Sequence, residues 1–115
     1  MASQKPPELS RIDMAILATL VSKERYGLEI RNRLRDLGQS LSLAGLYTTL
    51  ARLERHGLVT ARWGEDDEVD ARQGARRRYY AITGLGARAI KEATTVITRV
   101  LRPVRGLAYA DEVPA

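Results

Sequence analysis

At 115 residues the chain has room for one hydrophobic core and no deep, separate substrate domain. Its 19 Lys and Arg against 14 Asp and Glu give a net charge of +5, which favours an anionic partner. The absence of cysteine excludes disulfides, thiolate metal sites and cysteine nucleophiles. The longest apolar run, MAILATLV, falls well short of the ~20 residues of a bilayer span, so the expected location is the cytoplasm, without a membrane partner.

Residues 1–9 are polar and contain Pro6 and Pro7, the composition of a flexible arm. Ser10 with Asp13 three residues on forms a capping-box pattern, Asp being the shorter relative of the usual Glu. Ile12, Ala15, Ile16, Ala18, Thr19 and Leu20 then spread over broad sides, which predicts a first helix buried around much of its circumference. Residues 23–25 read as a polar turn. The spacing predicts a second helix over 26–37 with Tyr26, Ile30, Leu34 and Leu37 inward and Gly38 as its C′ residue. Its outward Glu29, Arg31, Arg33 and Arg35 form a solvated face or lie in part against a phosphate backbone.

A link of three residues leads into SLAGLYTTLARLERHGLV, residues 42–59. Here Leu43, Leu46, Leu50 and Leu53 fall at i, i+3, i+7 and i+10 and make one stripe of a third helix, with Ser42 as N-cap and Gly57 as C′. The face turned away carries Gly45, Thr48, Thr49 and Arg52. It is small, hydroxylated and basic, which suits a helix pushed into a groove lined with acceptors. Two helices, a tight turn and a third helix make a helix-turn-helix.

Residues 58–63 alternate as a strand and 77–82 supply an antiparallel partner, the wing of a winged helix. The tip between them, 64–76, holds Glu65, Asp66, Asp67, Glu68 and Asp70, but in no EF-hand order and with no histidine, so it reads as a solvated loop and not a metal site. Removing this acidic loop from the balance leaves the scaffold more basic than its total. Arg76, Arg77 and Arg78 follow. Alternation sets Arg78 with Tyr80 on one face and Arg77 with Tyr79 on the other, so that an arginine reaches phosphate or minor groove while a tyrosine packs inward.

Thr83 can cap a last helix over 84–102, terminated by Pro103. Ile90, Ala93, Ile97 and Val100 recur at steps of 3, 4 and 3, a two-heptad seam that the small core leaves over. It is assigned to a subunit interface, with packing on the chain's own first helix as the competing account. Residues 105–115 read as a loose tail. Trp63 is the only tryptophan and there is no Phe, so an aromatic effector would have to use Trp63 or a tyrosine near the seam; general burial habits favour a core role for Trp63. His56, the one histidine, sits at a helix end without a nucleophile, metal triad or phosphate loop, which argues against an enzyme and gives no reason to expect a cofactor.

The expected fold is therefore α+β and mainly helical: a winged helix-turn-helix over 10–83 with an added C-terminal dimerisation helix over 84–104. Against this reading, the segments AILATLVSKERYGLEI, SLAGLYTTLARLERHGLV, the strand ending in Trp63, and RRRYYAITGLGARAI together resemble the PadR-like winged-helix transcriptional regulators of the short type. The resemblance implies a homodimer joined through C-terminal helices, binding an inverted-repeat operator in double-stranded DNA, usually as a repressor and in some cases answering to a small aromatic effector. It places the groove-reading helix on Ser42, Gly45, Tyr47, Thr48 and Arg52 and the wing basics on Arg76, Arg77 and Arg78. Thr48 stands where the family often has proline, a departure that bears on base preference. A winged-helix protein-interaction module is the alternative, and it predicts little affinity for DNA even at low salt.

Overall fold

The computed structural model describes residues 8–65 and 76–107. In order they form α1 (Arg11–Thr19), β1 (Arg25–Tyr26), α2 (Gly27–Asp36), α3 (Leu43–Arg55), β2 (Val59–Trp63), β3 (Arg78–Ile82) and α4 (Gly84–Val100), closed by a 3₁₀ turn at Arg102–Gly106. Three helices pack on a small antiparallel sheet of order β1-β3-β2.

Local chemistry sets the helix ends. Ser10 Oγ accepts from the Asp13 N–H and Asp13 Oδ2 from the Ser10 N–H, each at 3.0 Å, so the capping box at α1 is complete. Ser42 and Thr83 accept from the N–H of Gly45 and Gly86 and start α3 and α4 in the same way. Gly38 and Gly57 close α2 and α3 at φ of +79° and +76°. Beyond each, the N–H of Gln39 or Leu58 returns to the carbonyl of Leu34 or Leu53, the paired bonding of a Schellman turn.

The core is the meeting point of the helical stripes. Ile16, Leu17 and Leu20 of α1 and its end, Ile30 and Leu34 of α2, and Leu46, Leu50 and Leu53 of α3 are sealed from solvent with Leu58 and Val59. Leu43 is partly buried at the edge of the same stripe. Two close backbone approaches lock this arrangement. A Cβ on Gly27 would lie 2.3 Å from Tyr47 Oη, so the glycine opening α2 exists to receive the tyrosine ring of α3. A Cβ on Gly86 would lie 2.2 Å from the Leu58 carbonyl oxygen, and beside it Thr83 Oγ1 donates to the Gly57 carbonyl at 2.6 Å. The Tyr-Gly, Leu-Tyr, Gly-Leu-Val and Thr-x-x-Gly pieces quoted above thus meet in space.

Several expectations are corrected. The polar turn at 23–25 ends in a strand: Arg25 and Tyr26 pair with Tyr80 and Tyr79, so the wing strands belong to a three-stranded sheet. Arg25 is buried, its guanidinium donating to the Thr19 carbonyl, Glu29 and Ser22, which satisfies the open C-terminal end of α1. Leu37 lies past the end of α2 and is exposed rather than inward; Ala18 is exposed, and Leu17 takes the core position. Trp63 is 55% exposed rather than in the core. The last α-helix stops at Val100 and Pro103 sits inside the 3₁₀ turn, so the chain is still ordered where a loose tail was expected to begin. Most of the N-terminal arm, residues 66–75 of the acidic tip and the end of the tail lie outside the described residues.

Candidate nucleic-acid interface

The face of α3 opposite its leucines is open. Ser42, Ala44, Tyr47, Thr48, Ala51 and Arg55 are exposed along it. Gly45, Thr49 and Arg52, assigned from sequence to this same face, sit at its edge and are partly covered. Thr49 Oγ1 donates to the Gly45 carbonyl at 2.9 Å, one turn back. The Arg52 guanidinium is bonded to Oδ1 of the buried Asp13 on α1, an ion pair in place of a free base-reading fork. The true centre of the face is therefore Ala44, Thr48, Ala51 and Arg55, one step round the helix. The signal was present: the direction away from Leu46, Leu50 and Leu53 passes through these residues at i, i+4, i+7 and i+11.

Two alanines and a threonine leave the start and middle of this surface shallow. Backbone can therefore approach a partner closely there, beside the helix N-terminus that Ser42 caps. Arg31, which also faces outward in the expected pattern, instead donates from Nε to the Leu41 carbonyl at 3.3 Å and fixes the turn that launches α3.

The wing carries its guanidinium groups on aromatic faces. Arg77 Cζ lies 4.3 Å from the Tyr26 ring centroid, Arg62 4.4 Å from Tyr79, and Arg78 4.7 Å from Trp63. Tyr26 and Tyr79 meet edge to face at 5.7 Å, and Arg62 Nε also donates to Glu24 at 3.1 Å. Alternation holds as read: Arg78 shares a sheet face with the buried Tyr80, whose phenol is raised above its ordinary pKa by burial, against the lowering effect of Arg78. Arg78 also lies 3.9 Å from Glu54 of α3, which ties the wing to the helix. Arg76 is exposed at the tip end of β3.

Between α1 and α4 runs an open, mainly apolar groove of about 380 Å³ lined by Met14, Ala15, Ala18, Ile90 and Ile97, with Arg11, Thr94 and Thr98 also on its walls. Trp63 does not line it. Ile90 and Ala93 of the predicted seam are partly covered, whereas Ile97 and Val100 are exposed together with Val96 and Leu101. Among the described residues no three His, Cys, Asp or Glu side chains cluster to hold a metal, and no helix is long and apolar enough to cross a membrane.

Three helices, the third with an open polar face, followed by a hairpin of stacked arginines, define a winged helix-turn-helix. The profile of the transcriptional regulator PadR-like family matches residues 16–92, and the chain belongs to that family, one of regulators rather than enzymes. An uncharacterised protein of Lysinibacillus sphaericus is 32% identical over 84 residues, 70% of this chain and 72% of that one. A PadR family transcription regulator from Clostridium difficile shares the fold with a TM-score of 0.68 at 27% identity, covering 84% of this chain and all of the other. Bacillus subtilis PadR, solved in complex with operator DNA, superposes with a TM-score of 0.60 at 24% identity over 70% of this chain and 45% of its own.

Proposed function

We propose that this protein is a homodimeric repressor that reads an inverted repeat in duplex DNA with a pair of α3 helices. The open, shallow face of α3 beside the arginine-bearing wing carries the proposal. In this reading the N-terminal turn of α3 meets a phosphate, Tyr47, Thr48 and Arg55 contact base edges or adjacent phosphates, and Arg76, Arg77 and Arg78 reach the flanking backbone. The likeness in fold to a protein solved on its operator supports the same mode of docking. The exposed apolar strip of α4, from Val96 to Leu101, supports dimerisation, which would set the two α3 helices about 34 Å apart in successive major grooves. The exposed indole of Trp63 is where an aromatic effector would act on the wing.

Selection from a random duplex pool, with oligomeric state measured alongside, tests this. A palindromic motif enriched by a dimer, with affinity falling steeply as salt rises, is the expected result. A folded dimer that enriches nothing at low salt would instead identify the chain as a protein-interaction module.

A further inference from the structure

We infer that Arg52 is a positioning residue, and that its ion pair with Asp13 is the pin by which α1 sets the pose of the DNA-reading helix. The inference rests on the DNA-binding reading above and goes beyond it by assigning one of the helix's cations to the protein rather than to the DNA.

Three observations carry it. Asp13 is 2% exposed, so its charge must be paired; Arg52, 37% exposed, supplies the pairing from 39 residues away in sequence. The same carboxylate is used twice: Oδ2 takes the N–H that begins α1 and Oδ1 takes the guanidinium of α3, so the start of one helix and the third turn of the other are held by a single rigid group. Finally, α3 packs chiefly on α2 and β2, and its Leu46, Leu50 and Leu53 share one apolar core with Ile16, Leu17 and Leu20. Apolar contact of this kind is non-directional and tolerates sliding and rotation, whereas the charge-assisted bond that ties α3 to α1 does not. A reading helix needs its rotation fixed, since its contacts depend on which side chains point into the groove. The pin also sits on the helix whose Met14, Ala15 and Ala18 line the groove with α4, so an occupant of that groove rests against the element that holds it.

The test is the base-preference profile of the selected operator for Asp13→Asn, Arg52→Gln and Arg52→Lys, with folding checked by circular dichroism. Asp13→Asn keeps an oxygen for the Ser10 N–H and removes the charge. It is expected to flatten preference across the whole half-site, lowering discrimination against random duplex on the order of tenfold. It should also steepen the salt dependence by roughly 0.9 in slope for each released guanidinium that finds a phosphate. Arg52→Gln should flatten the profile equally without steepening the salt response, and Arg52→Lys, which keeps a cation in reach of Asp13, should restore it. A base-reading Arg52 predicts the reverse: Lys and Gln alike erase preference at a single base pair, because Lys lacks the bidentate fork, and Asp13→Asn changes nothing. That result overturns the inference. Should Asp13→Asn fail to fold, the contrast between Lys and Gln at Arg52 decides alone. If the unaltered protein selects no duplex at all, the DNA-binding reading fails first and the inference falls with it.

Discussion

Helices α3 and α4 are alike in sequence. Each is started by a hydroxyl side chain, Ser42 or Thr83, and each carries aliphatic residues at helical spacing. In the fold they differ: Leu46, Leu50 and Leu53 of α3 are fully buried, whereas Ile97 of α4 is 42% and Val100 64% exposed. One stripe is consumed by the chain's own core and the other is left over. Periodicity alone therefore reports that a face will be buried but not by what, and the size of the core decides. With α1, α2 and α3 sharing one core, only the first half of α4, from Gly86 and Ala89 to the partly covered Ile90 and Ala93, finds cover, against α1 and β3.

The largest expected effect separates the two stripes. Leu50→Ala should cost about 2–5 kcal/mol, a large share of the ~5–15 kcal/mol that holds a domain of this kind, and by the same amount at every protein concentration. Ile97→Asp should behave differently if α4 pairs with a second copy as proposed. Its cost should depend on concentration, and the rise of Tm with concentration seen in the unaltered protein should vanish. Thermal melts over a hundredfold dilution series check both; a concentration-independent loss at Ile97 would place its stripe in the chain's own core.

The caps of the two helices give a smaller contrast. Ser42 makes one bond, to the N–H of Gly45, and Ser42→Ala should cost about 0.5–2 kcal/mol. Thr83 makes that bond to Gly86 and also donates to the Gly57 carbonyl, joining the start of α4 to the end of α3. Thr83→Ala should therefore exceed Ser42→Ala by about 0.5–1.5 kcal/mol, and Thr83→Ser should recover most of the difference. Urea denaturation of the three variants measures this directly; equal losses for the two alanine variants would mean that the bond to Gly57 contributes nothing.

These caps also show what was legible in the sequence. Ser10 with Asp13, Ser42, Gly38 and Gly57 act within a few residues of themselves, as Thr83 does in capping α4 at Gly86, so their types announce these roles. The fold class followed from them and from the leucine stripe. The misread positions depend on something distant. The two-residue strand at Arg25 and Tyr26 exists because Tyr79 and Tyr80 lie beside it, and no local pattern marks it. Trp63 was assigned to the core from its residue type, but its cross-strand partner is Arg78, on whose guanidinium it stacks at the outer edge of the wing. Arg52 looked like a free cation because the carboxylate that claims it lies in another helix. The open face is legible in kind but lies about one residue round the helix from the Gly45, Thr49 and Arg52 side, which the fold partly covers.

The smallest effect probes the sheet beneath α3, through pH. Burial raises the pKa of Tyr80 in the folded state, with Arg78 opposing the shift by its charge and a hydrogen bond. The native state thus keeps the phenol proton at a pH where the unfolded chain, with its pKa near 10, releases it. Between those two values the native state binds more protons, so stability is unaffected below about pH 10 and falls as pH rises through the raised pKa. Tyr80→Phe removes the titrating group. Whatever constant stability it loses with the bond to Arg78, its urea midpoint should decline less steeply between about pH 9 and 11 than that of the unaltered protein. Parallel curves for the two proteins would mean that Tyr80 is as well solvated in the fold as in the unfolded chain, and that the seal between β3 and α3 is looser than its burial implies.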